Sequence, residues 1–420
     1  MLPQPKPPHS DLGPRSGKLT ATRHNSLSQY EPSQALAFEQ MFMSNFISSF
    51  AHPLLGDGKH QSWMQYLPAF LSNCDLVRPS IRATTLAYYA YCAHDPAIER
   101  EADRWYMVAL SRQRAWLSAR YSPKAGTVDQ DLIPTDQEIC TSMMLLYFEL
   151  IQPTAVASWM KHFSGACRLM ELRRPMNCRT AISKLLLQSL RVLNVRHSIK
   201  FRIPSPLASV DWYEAIQAQD GTGSEGEILD ILLALPTYLS ATSNRFMESS
   251  GVTGHGTTSL AEKSRLVNLI ERFNQYDRRY FKECDESLAL SRDSDAAKPR
   301  LPESNRRKTQ WSDNGGGDFC NFDIETMLDS AMVIIAHLIL SQYDAWSPVE
   351  KISFLNEQDR RSTSILQNAA RTLEENPEGL NPGACLQFVF PLEAVATFSC
   401  DATKRDAAQD VLDRIGWARL

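Results

Sequence analysis

Gly221, Gly223 and Gly226 satisfy G-x-G-x-x-G, a pattern that lets backbone amides approach a pyrophosphate at a helix N-terminus. That chemistry needs a buried strand feeding the loop. Residues 211–220 ahead of it are polar and helix-like, so the glycines read as an interhelical linker. His162 has the most suggestive neighbours of any histidine: Trp159 three positions before it and Gly165 with Ala166 just after, on roughly one side of a helix, where the small residues would let a neighbouring helix approach closely. No second histidine stands four positions on, H-E-x-x-H is absent, and the nine histidines are dispersed, so no metal site is expected. His162 then reads as a histidine hydrogen-bonded between helices, with contact to a ligand as the alternative. D-D-x-x-D, G-x-S-x-G and the P-loop are also missing. Asn274 heads a polar stretch, but Arg278 and Lys282 follow at the positions where a magnesium-diphosphate motif needs a hydroxyl and a carboxylate. No nucleophile is placed beside a base. The expectation is therefore no catalytic residue, no cofactor, no metal and no enzyme.

The nine cysteines, Cys74, Cys92, Cys140, Cys167, Cys178, Cys284, Cys320, Cys385 and Cys400, are odd in number and lie no closer than eleven residues apart. This argues against a disulfide framework or a thiolate metal site and for a reducing compartment, with the thiols as small buried apolar groups. Net charge is -4 with pI near 6.2, so no global positive field draws the chain to phosphate backbones. The one basic run is Arg306, Arg307 and Lys308, with Lys298 and Arg300 upstream. Such a run can serve as a nuclear import signal or touch phosphate, although Asp293, Asp295, Glu303, Asp313 and Asp318 nearly cancel its field, as in an ordinary solvated loop.

The elements that must position these residues are helices. Residues 1–33 hold six prolines among polar residues and read as a disordered arm, too poor in apolar surface to offset its ordering entropy. Its proline-rich, polar start is unlike a secretory signal. Residues 34–290 are expected to form the first part of a helical domain: from about Ser33 to Arg202 apolar residues recur at three- and four-residue spacing, interrupted at Pro53, Pro68, Pro79, Pro96, Pro123, Pro134, Pro153 and Pro175, which predicts helical hairpins, and loops at 221–226 and 249–258 each lead into a further apolar helix. Ser80 is expected to cap the helix at Ile81, and Thr135 with Glu138 has capping-box spacing. Within 184–199, Leu186, Leu190 and Leu193 share a face while Arg191, Asn194 and Arg196 lie elsewhere. Leu266, Leu269, Ile270, Phe273 and Tyr280 form another apolar stripe. Residues 291–322 read as a flexible insertion, with helices resuming near Ile324 and running to 420. Residues 331–340 are apolar but shorter than the ~20 a bilayer span needs, so a core helix and no membrane partner are expected. The fold class is all-α.

One stretch gives these helices a family character: W-x-x-H-x-x-G-A-x-x-L-x-x-x-R, formed by Trp159, His162, Gly165, Ala166, Leu169 and Arg173. Upstream stand a helical run at 79–94, Ala102 to Tyr106, Ala109, Leu110, Leu117, and Met143 to Glu149. Downstream stand Phe390 to Ala394, Arg405, Leu412 and Ile415. In order and spacing these stations resemble the fungal-specific transcription factor domain, the all-helical module that usually follows a DNA-binding zinc binuclear cluster. Such a cluster needs six thiolates within about 30 residues, since each zinc takes four sulfurs and two must bridge. The first 73 residues contain none.

The resemblance implies a transcriptional regulator in the nucleus that lacks its own zinc cluster. It would reach DNA indirectly, through other transcription factors or promoter-bound proteins, with a small-molecule effector as a further expected ligand. Cluster-free chains of this length resemble regulators of fungal secondary-metabolite gene clusters, those for trichothecene mycotoxins among them. Two alternatives stay open: a cofactor-independent enzyme of the same pathway built on this fold, and a helical scaffold.

Overall fold

The computed structural model describes residues 34–50, 62–121, 133–217, 225–248, 260–295, 317–341, 346–375 and 382–415. The expected arm, Gly221, Gly223 and the run Arg306, Arg307 and Lys308 lie outside them. Every regular element among the described residues is helical, with no strand, an all-α architecture over that part of the chain. The helices are α1 (Gln34–Phe50), α2 (Leu67–Asn73), α3 (Arg78–Ala93), α4 (Pro96–Tyr121), α5 (Asp136–Ile151), α6 (Trp159–Arg173) and α7 (Ala181–Phe201). After them come α8 (Val210–Gln217), α9 (Glu225–Glu248), α10 (Leu260–Asp295), α11 (Gly317–Ser341), α12 (Pro348–Glu375), α13 (Pro382–Phe398) and α14 (Ala402–Ile415).

Several prolines mark helix ends, as their fixed φ and missing N–H favour, while Pro236 and Pro391 lie inside α9 and α13. Pro68 and Pro79 sit in first turns, Pro96 opens α4, and Pro134 and Pro153 flank α5. Thr135 and Glu138 close the capping box on α5. Ser80 behaves differently from expectation. The helix already starts at Arg78 because proline is tolerated there, so Ser80 lies inside the first turn and its hydroxyl donates to the Val77 carbonyl at 2.7 Å.

α5 is the central helix. Every residue from Glu138 to Leu150 is buried, so it carries no solvent face, and α3, α4, α6 and α7 pack round it. α3 and α4 approach through Ala83, Ala87, Ala102 and Ala109, whose small side chains let two backbones come close. α11, α12, α13 and α14 form a second packed group, reached from the first through α1, α7 and α9. Buried side chains from Met43 to Leu412 make the main core, and a smaller cluster of Ala83, Ala87, Ala102, Tyr106, Ala109, Leu145 and Phe148 lies between α3, α4 and α5.

Several expectations shift. α7 is buried nearly all round, with Arg191 and Asn194 inside the core rather than on a polar face, because each finds an internal partner. Asn274 lies in mid-α10 and heads nothing. The helices bounding the expected insertion are longer than periodicity suggested: α10 runs to Asp295, and α11 starts at Gly317 rather than Ile324. α11 is also long and apolar enough to cross a bilayer by length and composition, but 78% of its 324–341 window is buried against other helices. Of the described cysteines, Cys92 and Cys400 are exposed, contrary to the expectation of burial.

Candidate functional site

The signature residues all fall on α6, and their partners come from helices far away in sequence. At its N-terminal end stands a buried carboxylate, Glu149 of α5, 1% exposed. Glu149 accepts from the Tyr106 phenol of α4, from the Ser158 hydroxyl, and from the Thr154 amide and hydroxyl at 2.8 and 2.7 Å. The His162 imidazole meets the same phenol oxygen, Nε2 to Oη 3.1 Å. Tyr106 has one proton and gives it to Glu149, so His162 must donate from Nε2–H and is neutral in that tautomer. Tyr106 also stacks on Phe148 with ring centroids 4.2 Å apart. Three helices are thereby tied at one buried point.

The electrostatics follow from this wiring. Burial opposes the Glu149 charge, but Ser158, Thr154 and Tyr106 donate to it and hold the carboxyl below its usual range. Burial, reinforced by Glu149, pushes the Tyr106 phenol up, and burial pulls the His162 imidazole down. At neutral pH the set is one carboxylate with neutral phenol and imidazole. Both Glu149 oxygens are engaged by donors, which suits a positioning device better than a general base.

Trp159, 5% exposed, packs its ring against Phe163 and beneath the Arg196 guanidinium, 5.8 Å from the ring centroid. Arg196 makes a two-point bond to Glu393 of α13 at 2.8 and 3.0 Å, joined by Lys200 at 3.3 Å. This links the signature to the station at 390–394. Burial opposes the Glu393 charge, and Arg196 and Lys200 keep its carboxyl below the ordinary range. At the other end of α6, Arg173 pairs with Asp136 at the start of α5, and Asp136 also accepts from Thr180, the N-cap of α7, at 3.2 Å. Leu169 and Ala166 are core residues.

Gly165 departs from expectation. A methyl group built there would meet nothing within 4 Å, so the helix approach that small residues were expected to permit does not run through it. Gly165→Ala is therefore expected to raise stability by about 0.5–1 kcal/mol, since glycine in mid-helix only adds conformational entropy to the unfolded chain. Arg174, at φ 65° and ψ 152°, occupies backbone space that essentially only glycine favours. Arg174→Gly should give a gain of roughly 1 kcal/mol. Chemical denaturation of both variants checks this pair; a loss at either position would contradict the backbone account of α6.

Burial holds three histidines, His162, His197 and His337, below their ordinary pKa. The folded chain binds fewer protons than the unfolded chain as pH falls through about 6.5, so stability contributed by these groups is present above that value and lost below it. Glu149 acts in the same direction at lower pH, where its carboxyl in the unfolded chain takes up a proton near the ordinary value before the folded one does. Melting temperature should decline from pH 7 to pH 5, and His162→Gln should flatten part of that slope. A pH slope unchanged by His162→Gln would contradict the neutral assignment of that histidine; the raised carboxyls of Asp230, Glu325 and Asp329 act in the opposite sense, equally in both chains.

Two further polar centres gave little sign of themselves in the sequence. Arg361 of α12, almost fully buried, bonds Asp329 of α11 at 2.8 Å, both oxygens of Asp277 of α10 at 3.0 and 2.9 Å, and Glu357 at 2.8 Å. Arg191 pairs with Asp230 of α9 and donates to the Leu207 carbonyl at 3.3 Å. Asp329 within an apolar run was the one available sequence signal. Among the described residues no group of three or more His, Cys, Asp or Glu side chains is arranged to hold a metal. Of the G-x-G-x-x-G glycines only Gly226 is described; it lies in α9, and helix α8 rather than a strand precedes the pattern.

No family model, no curated protein and no solved structure matches this chain.

Proposed function

We propose that the chain is a transcriptional regulator of the fungal-specific type, acting in the nucleus on a secondary-metabolite gene cluster. It lacks a zinc cluster of its own and reaches promoters through a DNA-binding partner. The observation that carries the reading is the convergence of the signature stations: Tyr106, Glu149, His162, Trp159, Arg173 and Glu393, drawn from four separate stretches of sequence, join α4, α5, α6 and α13. Stations that share one helical unit are what a common module requires; scattered chance matches would not need to meet. The polar groups at this unit bond to one another, which favours a packing and switching role over bond-making chemistry.

Transcript profiling after gene deletion tests the reading. A regulator lowers many messages of one pathway together. Loss of a single product with messages unchanged would point to the enzyme, and no change in either to the scaffold. The partner-dependent mechanism also has a test in the pure protein. With a net charge of -4 and no cysteine in the first 73 residues, it should bind promoter fragments only weakly and without sequence preference, around ~10⁻⁴ to 10⁻⁶ M at physiological salt. Tight, sequence-selective mobility shifts by the pure protein would overturn that mechanism. Arg306, Arg307 and Lys308 are proposed as the import signal; neutralising them should move a fluorescent fusion from nucleus to cytoplasm.

A further inference from the structure

The side of α4 turned away from the core carries an unusual mixture. Arg104, Met107, Val108, Ser111, Arg114 and Ala115 are all exposed and, at three- to four-residue spacing, share one solvent face. Met107 is 63% exposed and Val108 37%, so both present apolar surface to water. From 104 to 121 the helix holds four arginines and no carboxylate, on a chain whose overall charge is -4. Arg120 turns back to the buried Glu138. The other three keep their charge toward solvent. Arg104 has only a Glu101 contact in which its side chain stays 79% exposed, a pairing worth little; Arg112 donates to the neutral Asp75 carbonyl; and Arg114 has no ionic partner among the described residues. Ser111 and Ala115 lie between the apolar and basic groups and leave room for a second helix to come close.

We propose that this face of α4 docks an acidic amphipathic helix from a partner protein. Its apolar side chains would sit on Met107 and Val108 over Ser111 and Ala115, with flanking carboxylates meeting Arg104, Arg112 and Arg114. Charge complementarity selects this occupant over the others. A phosphate backbone would use the arginines but gains nothing from Met107 and Val108. The chain's own residues 1–33 carry an excess of two positive charges, the wrong sign. A second copy could offer the exposed stripe Val349, Ile352 and Leu355 on α12, but the acids beside it are already engaged: Glu350 by Ser347, Glu357 by Arg360 and Arg361, Asp359 by Lys404. Under the regulator reading this partner is the protein that touches promoters. The surface itself stands on charge and exposure, so its test can succeed or fail whatever gene deletion does to transcripts.

The test uses the purified full-length chain and a labelled synthetic helix with leucines on one face flanked by glutamates. The control peptides replace every glutamate with lysine. Fluorescence anisotropy should show saturable binding, at least roughly tenfold tighter for the acidic peptide and weakening with added salt. The double change Arg104→Glu/Arg114→Glu and the separate change Met107→Glu should each weaken it by about tenfold or more, with the circular dichroism melt unchanged because these side chains are exposed. Hydrogen exchange should slow in residues 104–119 when the peptide binds. Equal affinity for both peptides, no saturable binding, or binding unaffected by both variants would overturn the proposal. So would binding of a random DNA duplex that the arginine reversal abolishes, which would make the face a phosphate surface, or self-association that Met107→Glu abolishes, which would assign it to a second copy.

Discussion

Trp159→Ala is expected to lower the folding stability by about 3–5 kcal/mol, among the largest effects of any single change in the signature. The ring is 5% exposed and lies between Phe163 and the Arg196 guanidinium, so its removal leaves a void and also frees Arg196, which holds Glu393 of α13. The loss should therefore be felt in two packed groups at once. Trp159→Phe separates the contributions. The indole N–H is buried with no acceptor among the described residues, so losing it removes no hydrogen bond, and the smaller ring should cost less than about 1.5 kcal/mol. Urea titration of both variants decides the matter; equal losses would mean that the N–H has a partner after all.

Arg361→Ala should cost a similar amount, about 3–5 kcal/mol, for an electrostatic reason. Its guanidinium compensates Asp329, whose side chain is only 3% exposed, together with Asp277 and Glu357. Burial already drives the Asp329 carboxyl above its usual range although Arg361 is bonded to it, a sign that the pair is expensive to keep inside. Glu357, nearer solvent, is held down to about 2, chiefly by Arg360. Removing the cation alone strands the buried charge. Removing both members should not: Arg361→Met with Asp329→Leu should recover at least about 2 kcal/mol of the loss, because two apolar side chains avoid the desolvation cost of two ions. A double variant no more stable than Arg361→Ala would show that the pair contributes more than its mutual neutralisation.

The two centres differ in how visible they were in the sequence. Helices could be read from spacing and punctuation, since Pro68, Pro79, Pro96 and Pro134 each act through local backbone geometry. Thr135 and Glu138 could be paired for the same reason, being three residues apart. His162 was legible as an interhelical histidine because Trp159 and Ala166 fix which side of α6 faces inward. Its partner was not. The Tyr106 to Glu149 bond joins residues 43 apart, and the Arg196 to Glu393 pair joins residues 197 apart. Such pairings depend on how helices stack, which one-dimensional periodicity does not encode. Arg191 and Arg361 were hidden by the general rule that charged residues face water, a rule that fails when an opposite charge arrives from a distant helix. Gly165 misled in the opposite sense, for a small residue permits close approach without compelling it.

The most direct test of the regulator account is chromatin precipitation of the tagged full-length chain from its own cells. The account predicts enrichment at promoters of a set of co-regulated pathway genes, recovered through a DNA-binding partner. Signal no higher at those promoters than across the rest of the genome would contradict it.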